Sequence, residues 1–143
     1  MITLNFTSEV VLEDNECHVQ FNQEHKIVVI KWFGIVDLPT AQNILMKGSN
    51  FIEDGRATRI LLDRRNLNQF SKEASKWIRD DLLRNRAKKL VHLVDKVATV
   101  KPRTAIGTIF SNVVSTAIRI VFPGLRMKSY DNQVEAFEWL IEE

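Results

Sequence analysis

Short runs of alternating or consecutive apolar residues recur along the chain and are typical of β-strands. The clearest run, residues 27–30, is entirely β-branched, and a short polar link separates it from an alternating run that precedes it. These two runs are predicted to pair as an antiparallel hairpin. The first 16 residues alternate weakly and predict an edge strand or an arm. The other predicted strands span residues 17–21, 27–33, 59–63, 96–100 and 125–130.

Apolar residues at helical spacing follow several of these runs and predict four helices. Their starts carry ordinary N-terminal signals, with Pro39 in a first turn, Ser71 as an N-cap and Pro102 at the head of the third helix. Gly55 is expected to end the first helix in the left-handed region. The predicted helices span residues 37–55, 71–91, 102–120 and 132–141.

The order of these elements, β-β-α-β-α-β-α-β-α, favours an α/β fold. We expect a single-layer mixed sheet of about five strands with about four helices packed on it. A chain of 143 residues has the usual size of one domain, and no repeat or linker divides it. Residues 1–143 are therefore predicted to form a single domain.

Composition indicates a globular protein of a reducing compartment. Hydrophobic residues make up 45% and charged residues 27% of the chain, which is ordinary for a soluble domain. Cys17 is the single cysteine, so no intramolecular disulfide can form, and a cytoplasmic location is expected. The N-terminal residues lack the features of a signal peptide, and the longest apolar runs, 27–30 and 118–122, are too short to span a membrane.

Positive charge is concentrated in the middle of the chain. Residues 84–128 contain ten Lys or Arg residues and one acid, whereas residues 129–143 contain five acids and no Lys or Arg. The basic run Arg84-Asn-Arg-Ala-Lys-Lys is interpreted as a solvated helix face, with an acidic protein or an anionic lipid as an alternative partner. Specific nucleic-acid binding is not expected, because residues 84–128 contain only two aromatic residues that could stack on bases.

No arrangement of residues in the sequence indicates catalysis or metal binding. Cys17 and His18 are adjacent, so a strand directs them to opposite faces, and His25 and His92 have no ligand spacing. The chain lacks a Gly-x-Ser-x-Gly motif, a paired-carboxylate motif and a glycine-rich phosphate loop. We therefore expect a protein that is not an enzyme and that has neither a metal nor a cofactor.

Four basic residues follow two of the predicted strands and form a candidate anion site. Ligands in open α/β sheets bind outside the carboxyl ends of the strands. Those ends carry Arg64 and Arg65 after one strand and Lys101 and Arg103 after the next. Arg103 is expected in the first turn of a helix, where free N–H groups favour a phosphate or a carboxylate. The alternative is that these cations pair with Asp63 and with other surface acids.

The third predicted helix has an uncharged surface between Arg103 and Arg119. Small hydroxyl side chains recur along it at helical spacing and form one stripe, Thr104, Thr108, Ser111 and Ser115. Because small side chains let another backbone approach closely, we predict a self-association interface and a homodimer. The alternatives are an apolar ligand bound beside this helix and coverage of the stripe by the rest of the domain.

Four segments give the chain a resemblance to STAS-like domains of the SpoIIAA-like branch. They are IVVIKWFGIVDLPTAQNIL, RILLDRRNL, KVATV and the C-terminal DNQVEAFEWLIEE, and together they span about residues 17–142. Family members that antagonise anti-sigma factors carry an Asp-Ser-Ser-Gly type of motif, in which the serine is phosphorylated. Here Asp63 is followed by Arg64-Arg65-Asn66-Leu67, and the first serine after it is Ser71. The sequence therefore shows no obvious phosphorylation switch of that type.

The resemblance implies a bacterial regulatory or ligand-binding module without enzymatic activity. Our principal interpretation is a regulatory protein-interaction module that binds a protein partner or a second copy of itself. The alternative is a carrier or sensor of a small apolar or anionic lipid-like ligand, bound beside the third helix. Both interpretations describe a cytoplasmic protein that acts by binding and does not span a membrane.

Overall fold

The computed structural model describes residues 8–13, 17–104, 115, 116 and 118–142, which form a six-stranded sheet. The strands lie side by side in the order in which they occur along the chain. The first two pairings are antiparallel and the other three are parallel, so the sheet is mixed, as predicted. The strands are β1 (Ser8–Glu13), β2 (Cys17–Asn22), β3 (Ile27–Val36), β4 (Arg59–Phe70), β5 (Lys96–Val100) and β6 (Met127–Tyr130).

Four α-helices have both ends within the described residues. Three of them start after a side chain that accepts a hydrogen bond from a backbone N–H three residues further on, namely Asp37, Ser71 and Asn132. The N-cap predicted at Ser71 is therefore confirmed. The helices are α1 (Leu38–Glu53), α2 (Lys72–Trp77), α3 (Arg86–Leu90) and α4 (Gln133–Ile141), with a π-helical turn at Ile78–Leu82 and a 3-10 turn at Val91–Leu93.

Two strands continue further than their apolar runs predict. β3 extends beyond Gly34 to Val36, and β4 extends beyond Asp63 to Phe70, where the sequence predicts a connector. The two extensions pair with each other, from Gly34 opposite Leu67 to Val36 opposite Phe70. Gly34 has a φ of 62°, which glycine tolerates, and the register shifts immediately after it. The prediction that this strand ends at residue 33 is therefore wrong.

The second predicted helix is broken into shorter pieces. The N–H of Leu83 donates to the carbonyl of Ile78, five residues back, at 3.0 Å, which is the hydrogen bond of a π-helical turn. Ile78 and Leu83 are both buried. In an α-helix, residues five apart lie well apart around the axis, whereas the wider π turn brings both to the core. The prediction of one continuous helix over residues 71–91 is therefore wrong.

The third predicted helix lies largely outside the described residues. Residues 105–114 and 117 are not described, and Thr108 and Ser111 fall among them. Residues 101–104 are not helical, so the predicted start at Pro102 is wrong. Residues 115, 116 and 118–121 are helical, which agrees with the last turns of the prediction.

Apolar residues cover both faces of the sheet, because alternate residues of β3 point to opposite sides. Val28 and Ile30 belong to the core beneath α1 and α2, whereas Ile27 and Val29 belong to the core beneath α4. Each of these four side chains is at most 3% exposed. We call the two sides the α1–α3 face and the α4 face.

Candidate functional site

A cavity of about 230 Å³ lies between the α1–α3 face of the sheet and the elements that cover it. The strands β3, β4 and β5 form its floor through side chains such as Ile30, Leu62 and Val97. Its cover comes from α1, from lining residues between positions 78 and 94, and from Ile118. We call this space the sheet–helix cavity.

The described lining of the sheet–helix cavity is almost entirely apolar. Aliphatic side chains and the rings of Trp32, Phe70 and Phe122 supply most of it. Among the described lining residues, Arg64 and Arg86 are the only charged side chains, and neither an Asp nor a Glu is present. An apolar recess with a few polar groups is typical of a site for a small molecule.

Arg64 is the buried cation of this cavity. It is 9% exposed, and one of its terminal nitrogens donates to the Thr99 hydroxyl at 2.9 Å. That hydroxyl also lies 2.7 Å from the Ser129 hydroxyl. The Nε of Arg64 is buried and has no hydrogen-bond partner within the described chain. Burial lowers the pKa of Arg64 to about 10, so the guanidinium stays charged at neutral pH.

An irregularity in β4 separates Arg64 from its neighbour Arg65. On β3 only Trp32 lies between the residues that pair with Asp63 and Asn66, so two residues of β4 stand opposite one residue of β3. Such an extra residue re-aims side chains and is frequent beside functional sites. Arg65 donates to the buried carboxylate of Asp63 at 2.7 to 3.2 Å, and these hydrogen bonds raise the pKa of Arg65. Asp63 is thereby paired with Arg65, and Arg64 forms no ion pair with a described residue.

Arg86 closes one side of the cavity from α3. Its guanidinium donates to Ser49 Oγ at 2.5 Å, to Asn50 Oδ1 at 2.7 Å and to Glu53 Oε2 at 2.8 Å. All three acceptors lie on α1, so these bonds tie the short α3 to the longer helix. Because Glu53 balances its charge, Arg86 holds the cover together and is not available to a ligand.

The basic residues of the predicted anion site have different surroundings. Arg64 lines the sheet–helix cavity, whereas Lys101 and Arg103 are exposed. The N–H of Arg103 donates to the carbonyl of Arg65 at 3.3 Å, so the backbones of these two residues are in contact. The Lys101 ammonium lies 3.7 Å from the carboxylate of Asp131. An anion site shared by all four basic residues stays a prediction.

The hydroxyl stripe predicted to form an interface is described only in part. Thr104 is exposed, and Ser115 lines the sheet–helix cavity. Thr108 and Ser111 lie outside the described residues. Self-association through this stripe stays a prediction.

Thr99 belongs to the candidate site although sequence reasoning did not single it out. It is the fourth of the five residues of β5, pairs with Leu62 of β4 and is 2% exposed. The only signal for it in the sequence is a hydroxyl inside the apolar run KVATV, because a buried hydroxyl requires a hydrogen-bond partner. The structure supplies two such partners, Arg64 and Ser129.

Neither a cluster of metal ligands nor a membrane-spanning helix was found among the residues that the structure describes. No group of three or more His, Cys, Asp or Glu side chains there could hold a metal ion. None of the helices in the same residues has the length and apolar character needed to cross a bilayer.

Neither a protein-family model nor a curated protein sequence matches the chain. Solved structures do match it. The anti-sigma factor antagonist SpoIIAA in its unphosphorylated form is 18% identical, with a TM-score of 0.54, and the match covers 94% of this chain and 97% of that chain. The chain has a SpoIIAA-like fold. The likeness spans almost the full length of both proteins.

Two further structures agree with the SpoIIAA-like fold. The phosphorylated form of SpoIIAA, a cell fate determinant of Bacillus, is 21% identical with a TM-score of 0.53, over 94% of this chain and 98% of that one. An uncharacterized Shewanella loihica protein with a SpoIIAA-like fold is 15% identical with a TM-score of 0.56, over 94% and 92%. The predicted fold class and the resemblance to the SpoIIAA-like fold are confirmed. At these identities the likeness concerns the fold alone.

Proposed function

We propose that this chain is a non-catalytic regulatory domain that takes up a small apolar molecule in the sheet–helix cavity. The observation that carries the proposal is the described lining, which is apolar apart from a few groups that include one buried and incompletely paired cation. Binding would remove apolar surface of both ligand and cavity from water, which is the main favourable term in such associations.

The cover of the cavity supports uptake and release of a ligand. The helices α2 and α3 have six and five residues, and a π-helical turn follows α2. Short helices have little stability of their own, and segments of low local stability are the ones that open in ligand-binding proteins. The contact that opening would break is the set of hydrogen bonds from Arg86 to α1.

A regulatory role in one domain is part of the same proposal. The matched SpoIIAA structures are described as an anti-sigma factor antagonist and as a cell fate determinant, which supports regulation by binding. We propose that residues 1–143 act as a single STAS-like domain in the bacterial cytoplasm. Cys17 is the single cysteine of the chain and is buried, which suits a reducing compartment.

A small neutral apolar dye, azulene, tests the cavity as a binding site by its quenching of tryptophan fluorescence. Ala87 lines the cavity from α3, so the ring introduced by Ala87→Phe should occupy the space and weaken dye binding at least about tenfold. The matched control is Lys88→Phe, which places the same ring at the next, exposed position of the same helix. Equal fluorescence titrations for both variants, with unchanged melting temperatures, would show that the dye binds elsewhere.

Self-association is the second candidate function. Ile120 is 75% exposed and Val121 is 40% exposed, which leaves an apolar pair on the helical residues 118–121. Exposed apolar surface marks interaction sites, and a second copy of the chain would cover it in the predicted homodimer. Ile120→Glu should then shift the sedimentation coefficient from dimer to monomer without lowering the melting temperature. A wild-type protein that already sediments as a monomer would exclude this candidate.

A further inference from the structure

We infer that the ligand of the sheet–helix cavity is a medium-chain carboxylate whose head group pairs with Arg64. This inference rests on the proposed function, because it names the class of molecule that the cavity binds. It is carried by one juxtaposition, a buried guanidinium with an unpaired Nε in the wall of an apolar recess.

The charge of Arg64 is not balanced by the described protein. A buried cation is stable only when a counter-ion or enough acceptors replace the water that it has lost. Arg64 has one neutral acceptor, the hydroxyl of Thr99, and desolvation lowers its pKa without an opposing contribution from a nearby acid. A negatively charged group on the ligand supplies the missing partner of Arg64. The rest of the ligand then lies against the apolar lining of the cavity.

The orientation of the guanidinium suits a carboxylate. Arginine presents its donors as a planar fork that matches two carboxylate oxygens, and the Nε of Arg64 is still unused. Thr99 holds one terminal nitrogen at 2.9 Å, and Ser129 in turn lies 2.7 Å from the Thr99 hydroxyl. The guanidinium is therefore already oriented before a head group arrives, which reduces the entropy lost on binding, and a small shift of the covering side chains would expose its Nε to the carboxylate.

One unbalanced positive charge favours a head group with one negative charge. Arg86, the other cation of the described lining, is already paired with Glu53 at 2.8 Å. A phosphate monoester carries about −1.5 to −2 charges at neutral pH, so it would bring negative charge that no second free cation balances. A carboxylate carries a single charge and is therefore the better match.

The volume of the cavity sets the length of the alkyl chain. A water molecule takes up about 30 Å³ of the liquid, and a methylene group is of similar size. A space of about 230 Å³ therefore holds about eight carbons, which makes octanoate the appropriate probe. Longer chains can bind only by extending out of the described space.

Isothermal titration calorimetry of the wild-type protein with three ligands of equal chain length tests the head group. We expect octanoate to bind at least about tenfold more tightly than neutral 1-octanol, because a charge-assisted hydrogen bond supplies a factor of that size. Octyl phosphate should bind no more tightly than octanoate. Equal affinity for octanoate and 1-octanol, or tighter binding of octyl phosphate, would overturn the inference. This comparison does not depend on any variant folding correctly.

A pair of arginine variants locates the head group. Arg64→Met removes the charge and keeps much of the side-chain length, and it should weaken octanoate binding at least about tenfold while changing 1-octanol binding less than about twofold. Arg103→Met removes the same charge from an exposed position and should leave both affinities unchanged. If octanoate loses affinity in Arg103→Met and keeps it in Arg64→Met, the anion binds at the strand ends and the assignment to Arg64 is wrong.

The head-group inference and the proposed function fail separately. Binding of 1-octanol without preference for octanoate would overturn the role of Arg64 and keep the cavity as an apolar site. Absence of binding by octanoate, 1-octanol and azulene would overturn both the inference and the proposed function.

Discussion

Two buried cations on opposite faces of the sheet have different surroundings. Lys96, on the α4 face, is 2% exposed, and its ammonium donates to the carbonyls of Trp139 at 2.9 Å and Glu142 at 2.7 Å. These carbonyls belong to the C-terminal end of α4, where the helix dipole favours a cation. Arg64, on the α1–α3 face, is 9% exposed and has one neutral acceptor, the Thr99 hydroxyl. Desolvation lowers the pKa of both cations.

This difference distinguishes a structural cation from one that is available to a ligand. Lys96 donates to two carbonyls at the end of α4, where the Trp139 carbonyl also accepts a longer hydrogen bond, 3.3 Å, from the Glu142 N–H. The Lys96 ammonium lies 4.9 Å from the centre of the Trp139 ring. It therefore fastens the last turn of α4 to the sheet. Arg64 donates only to the hydroxyl of Thr99, which also lies within hydrogen-bond distance of the Ser129 hydroxyl. The α4 face accordingly stabilises the fold, and the α1–α3 face carries the proposed function.

Removal of Lys96 is expected to have the largest effect on stability. Lys96→Met should lower the free energy of unfolding by about 2–4 kcal/mol, because it removes two hydrogen bonds from a charged donor and leaves two carbonyls without it. Urea unfolding followed by circular dichroism measures the change. The matched control is Lys128→Met, since the exposed Lys128 also lies beside the Trp139 ring, at 5.4 Å. Equal midpoints for both variants would contradict the structural role of Lys96.

Removal of Arg64 is expected to have a smaller effect of opposite sign. Without ligand, Arg64→Met should raise the free energy of unfolding by about 1–2 kcal/mol, because an apolar side chain replaces a buried charge that lacks a counter-ion. Thr99 keeps its contact with the Ser129 hydroxyl in this variant. The same urea experiment measures the gain, with Arg103→Met as the exposed control. A loss of stability would show that Arg64 is as structural as Lys96, and the distinction between the two faces would fail.

The apolar pattern of the sequence predicts most of the sheet, because strands that are buried on both faces have apolar residues at consecutive positions. β5, at Lys96–Val100, was located in full, and the hairpin of β2 and β3 is confirmed. The extension of β4 was missed because Asn66 and Asn68 alternate with buried side chains and face solvent. Polar residues on the open side of a strand resemble a loop when only composition is considered.

The candidate site could be predicted only in outline. The sequence indicates Arg64 because it follows an apolar strand, but it places Arg64 in one anion site with Arg65, Lys101 and Arg103. Its burial depends on the register irregularity opposite Trp32 and on Thr99 in the neighbouring strand. Both are consequences of long-range pairing, which residue spacing along the chain does not encode. The π-helical turn at Ile78–Leu82 was missed for a related reason, since it is fixed by tertiary packing.

The weakest expected effect concerns an ion-pair network at the edge of the α4 face. The carboxylate of Asp95 accepts hydrogen bonds from Arg126 and, at 3.0 Å, from Arg59. Arg59 also donates to the carbonyl of Leu140, so the network reaches α4. Hydrogen bonding from Arg126 is the main cause that lowers the pKa of Asp95, and the charges of Arg126 and Arg59 contribute to it.

A carboxylate with a lowered pKa in the folded state stabilises the protein at neutral pH and loses that contribution as acid protonates it. Because the Asp95 side chain is 38% exposed, solvent screens the pairs and the contribution is about 0.5 kcal/mol. Asp95→Asn should therefore be slightly less stable than wild type at pH 7, and the difference should vanish as the pH falls through the lowered pKa of the carboxyl. Urea midpoints of both proteins at a series of pH values measure this. If the difference in stability persists in acid, Asp95 acts through its shape and through hydrogen bonds that do not need its charge. In that case Lys96 and apolar packing, and not this ion-pair network, stabilise the α4 face.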